Sequence, residues 1–169
     1  TLERLKTNFE ALVKEHERVG ADESEGILLK IKLQATALEQ FINGDSSWLA
    51  EVDALRLSRT LSAMRQQEAA FMRRRSPDSR QAFLDQQDEF GAALDKVVGA
   101  EILKRQARDG AKAYADAFKE WIDAMRNIEM RVAGIDSDTA LLIGVADEVV
   151  AQSHELHRSV VAALTSSQE

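Results

Sequence analysis

Hydrophobic residues recur at steps of three and four positions along nearly the whole chain, which is the period of helices with one buried face. The stripes predict helices over ranges 1–19, 27–42, 48–74 and 78–133, and a last helix after residue 138. The range 78–133 fits either one kinked helix or two separate helices, because glycines interrupt it at Gly99 and Gly110.

Short polar segments mark the predicted helix ends. Gly20 suits the position after the first helix, and Asp22 or Ser24 suits the N-cap of the second. Turns are predicted at 43–47 and 134–138, where glycine is combined with Asp and Ser.

The clearest restart of a helix lies around the only proline of the chain. Ser76 suits an N-cap, Pro77 the first helical position, and Asp78 the first turn, where a negative charge complements the helix dipole.

These elements predict an all-α fold, because no segment has the alternating pattern of a strand. Long helices joined by short turns favour an elongated up-and-down antiparallel helical bundle of the four-helix type. We expect residues 1–169 to form a single helical-bundle domain. The chain starts at Thr1 inside a predicted helix, so we also expect it to be a piece of a longer region.

Composition narrows the function classes. With 22 Lys and Arg against 29 Asp and Glu, the net charge is −7, which disfavours a nucleic-acid binder. The absence of cysteine excludes disulfides, thiolate metal sites and a cysteine nucleophile. No run of about 18 apolar residues is present, so we expect neither a membrane span nor a signal peptide within this sequence.

Catalytic and metal-binding patterns are weak. His154 and His157 are three positions apart with Asp147 upstream, but the predicted buried stripe turns His154 away from the interior, so solvent-facing histidines are favoured. There is no nucleophile elbow or phosphate-binding loop. We therefore expect no enzyme activity, no metal and no cofactor.

The helix end at 64–75 has the most distinctive chemistry. Glu68 continues the predicted buried face and needs a partner there, and Arg65, three positions earlier, is available as an ion pair. The arginines at 73–75 fit two interpretations: they solubilise the helix end, or they bind an anionic ligand or an acidic partner. On the second interpretation, Arg59 joins the cluster from inside the bundle.

Aromatic residues at helical spacing favour core packing. They include Tyr114, Phe118 and Trp121, whereas Trp48 follows a turn and is expected to staple the start of the third helix.

Motifs in the third and later helices suggest a family. The third helix carries Met64-Arg65-x-x-Glu68-x-x-Phe71-Met72-x-Arg74, followed by a turn and a helix with Phe83 and Phe90, and a later segment reads Tyr114-Ala-Asp-Ala117-Phe118. These motifs resemble the helical sensor region of bacterial transmembrane methyl-accepting chemotaxis proteins of the helical bimodular class. The Lys-Asp pair of the family motif is Ala69-Ala70 here. The family's motif residues can therefore be matched at only four positions of this chain, Arg65, Glu68, Phe71 and Arg74.

The resemblance implies a periplasmic sensor domain, anchored by transmembrane helices outside this chain. It implies a homodimer that binds a small ligand, an anion among the candidates, or a periplasmic binding protein, and that signals by helix displacement. The candidate ligand-binding residues are Arg59, Arg65, Glu68 and Arg74. The alternative is a cytoplasmic helical-bundle structural or interaction protein.

Overall fold

The computed structural model describes residues 2–44 and 48–167, which form five helices. They are α1 (Leu2–Val19), α2 (Gly26–Asn43), α3 (Glu51–Arg74), α4 (Pro77–Asp95) and α5 (Glu101–Ser166). No strand occurs in the described ranges, so the all-α prediction is confirmed. The finer arrangement, an elongated antiparallel bundle of the four-helix type, stays a prediction.

Two glycines shape the connection between α1 and α2. Gly20 and Gly26 have φ angles of 97° and 65°, which side-chain-bearing residues rarely adopt. A Cβ on Gly20 would also collide with the carbonyl oxygen of Glu25. The role of Gly20 after α1 is confirmed, whereas the N-cap of α2 is Glu25 rather than Asp22 or Ser24. Asp22 instead accepts a 2.7 Å hydrogen bond from the N–H of Ser24 inside the connection.

The connection between α2 and α3 is closed by Trp48. Its ring lies 5.6 Å from that of Phe41, and its indole N–H donates a 3.2 Å hydrogen bond to the Phe41 carbonyl. Trp48 thus anchors the connection to the end of α2, while its role as a staple for α3 stays a prediction. Helix α3 begins at Glu51, three residues later than predicted. Residues 45–47 of the predicted turn lie outside the described residues.

The predicted restart at the proline is confirmed in part. Pro77 occupies the first turn of α4 and Ser76 is its N-cap, but no side-chain hydrogen bond caps the helix. Before it, Arg75 ends α3 in the left-handed conformation (φ 54°), and its N–H donates a 2.7 Å hydrogen bond to the Phe71 carbonyl. Only Arg75 and Ser76 separate α3 from α4.

The range 78–133 contains two helices. Helix α4 ends at Asp95 and α5 begins at Glu101, and the break between them includes Gly99 and Ala100 with φ angles of 76° and 51°. Helix α5 then continues through Gly110 without interruption.

The predicted turn at 134–138 is wrong, because α5 runs through it to Ser166. A glycine inside a helix costs only about 1 kcal/mol relative to alanine. Gly134 faces Asn8 of α1, whose Nδ2 would lie 3.8 Å from a Cβ at that position. Asp138, which the sequence suggested as a turn residue, is buried and held in an ion pair by Arg4.

The chain divides into two compact units, one of residues 17–125 and one of residues 1–16 with 126–169. The prediction of a single domain over 1–169 stays a prediction. In the first unit, aromatic rings from three helices form the core, as the predicted aromatic stripe requires. The Phe83 ring centroid lies 5.4 Å from that of Tyr114 and 4.6 Å from that of Phe118, and Phe71 packs edge-on against Phe118 at 5.7 Å.

The unit of residues 1–16 and 126–169 has few buried side chains. Its C-terminal segment of α5 leaves large apolar side chains exposed, among them Leu141, Val145, Val149, Leu156, Val160 and Leu164. Searched over the described residues, no helix has both the length and the apolar character needed to cross a membrane.

Candidate functional site

A buried carboxylate joins α3 to α5. Glu68 is 8% exposed, and its Oε1 accepts a 2.5 Å hydrogen bond from the hydroxyl of Tyr114. The same oxygen accepts a 3.2 Å hydrogen bond from Nη1 of Arg65. Arg65, Glu68 and Tyr114 are called the Glu68 cluster below. The predicted burial of Glu68 and its ion pair with Arg65 are confirmed.

The local sequence explains how the cluster forms. Met64, Glu68 and Phe71 follow one another at helical spacing and are all buried, so the carboxylate lies on the packed face of α3. Arg65 is three positions before Glu68 and half-buried, which brings its guanidinium beside the carboxylate. From α5, the fully buried Tyr114 supplies the second donor, and the guanidinium of Arg65 lies 5.9 Å from its ring centroid.

Burial sets the protonation of the cluster. Loss of solvent raises the pKa of the Glu68 carboxyl, and the Tyr114 hydrogen bond and the Arg65 charge offset part of that rise. The pKa of Tyr114 is also raised, first by burial and then by the adjacent carboxylate. Tyr114 therefore keeps its proton and acts as a donor. Both donors bond Oε1 of Glu68, so the cluster links α3 to α5. A ligand-binding role of Arg65 and Glu68 stays a prediction.

Two of the four candidate ligand-binding residues lie elsewhere. Arg59 and Arg74 are exposed, and in the described part of the chain neither makes a hydrogen bond or ion pair with Glu68. The expectation that Arg59 approaches from inside the bundle is therefore wrong. Nine positions along a helix correspond to about two and a half turns, which places Arg59 on the face opposite Glu68.

The arginines at the end of α3 divide between surface and packing roles. Arg73 and Arg74 are exposed in the last turn, where positive charge complements the helix dipole. The guanidinium of Arg75 instead lies 4.3 Å from the ring centroid of Trp121, and its Nη1 donates a 2.8 Å hydrogen bond to the Met72 carbonyl.

Two buried polar contacts were not predicted from the sequence. Tyr114 is the only tyrosine of the chain and lies on a predicted buried stripe, so its hydroxyl needed a partner. Glu68 also needed a buried partner, so the two requirements together would have suggested a hydrogen bond between Tyr114 and Glu68. Lys104 is also buried, and its Nζ donates a 2.9 Å hydrogen bond to the Val97 carbonyl just after α4. The pattern of apolar residues around Lys104 did not indicate that its side chain would be buried.

A groove between α4 and α5 was also missed. It has a volume of about 320 Å³ and combines an apolar floor with a rim that is mostly cationic. The floor includes Phe83, Phe118 and Ile122, and the rim includes Arg80, Lys112 and Lys119.

The histidines of α5 lie at the surface, as predicted. His154 and His157 are exposed. In the described ranges, no three His, Asp or Glu side chains are grouped so that they could hold a metal ion.

Comparison of the chain with protein-family models, curated proteins and solved structures finds no match. The resemblance to chemoreceptor sensor regions therefore rests on sequence motifs alone, which include those around Arg65 and Tyr114 and the segment from Phe9 to Leu28.

Proposed function

We propose that this chain is the extracytoplasmic, periplasmic sensor domain of a transmembrane chemoreceptor. In this proposal it is an elongated four-helix-type bundle that binds a small ligand or a binding protein and signals by helix displacement. The observation that carries the proposal is that α5 contributes to both compact units and is tied to α3 by the buried Glu68 cluster. The family resemblance of the same residues supports it.

The cluster is suited to couple helix movements. A displacement of α5 along α3 must either carry Glu68 with it or break its hydrogen bond to Tyr114. Breaking it would leave a buried carboxylate short of a donor, which costs about 1–3 kcal/mol. In this proposal the signal is a small shear-type displacement of α5 against α3, and the cost of breaking this bond opposes it. In this proposal Arg65 and Glu68 transmit the signal, and the exposed Arg59 and Arg74 remain candidate ligand contacts.

The proposed receptor is a homodimer in which the two chains contact each other through the C-terminal segment of α5. The apolar residues there are spaced near seven positions apart, as in Leu142, Val149 and Leu156, which is the repeat of helices that pair. Val149 and Leu156 are exposed in the single chain. Sedimentation analysis is expected to give a dimer that Leu156→Glu weakens, whereas a monomer for the unsubstituted chain contradicts this contact.

The experiment on the sensor role uses the full-length receptor with its kinase and adaptor. A ligand found by thermal-shift screening of organic acids, amino acids and amines is expected to change kinase output. Tyr114→Phe is expected to reduce that response while ligand binding persists, and Arg105→Gln, an exposed change on the same helix, to leave it intact. The proposal fails if the full-length chain has no membrane-spanning segments around residues 1–169.

The alternative is a cytoplasmic structural or interaction protein. The exposed apolar residues of α5 are compatible with it, because they fit a helical partner of a different sequence as well as a second copy of this chain. It requires that the flanking sequences contain no transmembrane segment, so the same reading of the full-length chain separates the two functions.

A further inference from the structure

We propose that the groove between α4 and α5 binds a small carboxylate with one anionic end and an apolar body. The inference names a ligand class for the proposed sensor and in that sense rests on the proposed function. Its test measures binding to the chain directly, so its failure is distinguishable from failure of the sensor role.

The floor of the groove fits an apolar body. The rings of Phe83 and Phe118 meet there at 4.6 Å between centroids, and the buried Ile122 extends the same surface. These three side chains are 7% exposed or less, so the apolar surface that a ligand can contact includes the side chain of Leu84, which is 41% exposed. A volume of about 320 Å³ lies within the range of small-molecule sites.

The rim selects a negative charge. Lys112 forms a 2.9 Å ion pair with Asp116, and the two charges offset each other. Arg80 and Lys119 also line the groove, and among the described residues neither takes part in an ion pair. Three cations and one carboxylate therefore leave a surplus of two positive charges beside an apolar floor.

The position of Arg80 strengthens this reading. It lies in the first turn of α4, which begins at Pro77. A positive charge there opposes the helix dipole, so helix stability gives no reason for it. A bound anion would be favoured by the guanidinium of Arg80.

The groove also connects with the Glu68 cluster. Phe83, which belongs to the floor of the groove, contacts the ring of Tyr114 at 5.4 Å between centroids. The floor therefore touches the residue that donates a hydrogen bond to Glu68. Phe83 itself is 1% exposed, so a ligand body in the groove would reach the link between α3 and α5 through this buried ring.

The test is isothermal titration of the chain with 3-phenylpropionate, compared with 3-phenylpropanol and 3-phenylpropylamine. We expect the carboxylate to bind at least about tenfold more tightly than the alcohol and the amine not to bind, since charge-assisted hydrogen bonds are lost in both. Arg80→Gln and Lys119→Gln are each expected to weaken carboxylate binding about tenfold. Arg105→Gln, a matched change of an exposed arginine outside the groove, is expected to have no effect.

Leu84→Ser tests the apolar part, with Leu33→Ser as its matched control on an exposed site of α2. Circular dichroism verifies that each variant is folded. The proposal is overturned if the carboxylate does not bind, if the alcohol binds equally well, or if neither charge variant changes the affinity. Equal weakening by Leu33→Ser and Leu84→Ser would likewise contradict the groove.

Discussion

The hydroxyl of Tyr114 donates a 2.5 Å hydrogen bond to the carboxylate of Glu68 across the contact between α5 and α3. Neither group would be buried favourably without the other, because an unpaired polar group in a packed interior loses its solvation without compensation. The pair therefore ties α5 to α3 within a core of buried aromatic and aliphatic side chains.

Removing the tyrosine hydroxyl is expected to destabilise the fold. Tyr114→Phe leaves the ring in place but deprives Glu68 of a donor, so we expect the free energy of unfolding to fall by about 1–3 kcal/mol. Urea denaturation measures it. The double variant with Glu68→Gln completes a thermodynamic cycle, and additive effects of the two substitutions would contradict a direct coupling.

The raised pKa of Glu68 predicts a pH dependence. Because the folded state holds the Glu68 proton more tightly than the unfolded state, the free energy of unfolding falls as the pH rises from the ordinary glutamate pKa of 4.5 through the raised folded value. Glu68→Gln removes this contribution. Urea unfolding of both proteins over a pH series that starts below 4.5 is expected to show a steeper loss of stability with rising pH in the unsubstituted chain. Parallel profiles would refute it.

Asp138 predicts a dependence of the opposite sign. Its pKa is lowered, first by the hydrogen bond from Arg4, so its contribution is present above the ordinary value of 3.8 and is lost as the pH falls through the folded value. The protection factors of the α1 amides, which correct the exchange rates for the intrinsic pH dependence of amide exchange, are expected to fall on acidification in the unsubstituted chain. In Asp138→Asn exchange should be fast already at neutral pH; equal protection in both would show that the ion pair does not hold α1.

The connection between α1 and α2 is expected to reject side chains. Gly20→Ala and Gly26→Ala force a Cβ into backbone atoms at positive φ, so each should cost more than about 1 kcal/mol of stability. Gly91→Ala is the matched control, because that glycine lies in α4 with open space around it and helix propensity favours alanine by about 1 kcal/mol. Thermal unfolding of the three variants measures whether Gly20→Ala and Gly26→Ala lower the stability and whether Gly91→Ala raises it.

What the sequence predicted depended on how local the signal was. The ion pair of Arg65 and Glu68 spans three positions of one helix and was predicted, as was the restart at Pro77. The bond from Tyr114 to Glu68 joins residues 46 positions apart, which no helical period reveals. The failure at 134–138 has the same cause: the glycine and aspartates indicate a turn locally, but Arg4 and Asp138, 134 positions apart, are held together within a continuous helix.

The candidate site was predicted only in part, because it too depends on contacts between distant residues. The residue types suggested a basic cluster that included Arg59. Because Glu68 lies on the buried face of α3, the helical period places Arg59 on the opposite face. The groove between α4 and α5 depends on which helices become neighbours. Its charged rim, with Arg80 on one helix and Lys119 on the other, has no signature in either segment alone.

The single tyrosine of the chain has a practical consequence for spectroscopy. Biosynthetic incorporation of 3-fluorotyrosine would label position 114 and no other, because Tyr114 has no counterpart elsewhere in the sequence. One fluorine nucleus would then sit on the ring that contacts Phe83 and whose hydroxyl bonds Glu68. Its resonance would follow ligand-induced movement at the contact of α3, α4 and α5 without any change to the amino-acid sequence.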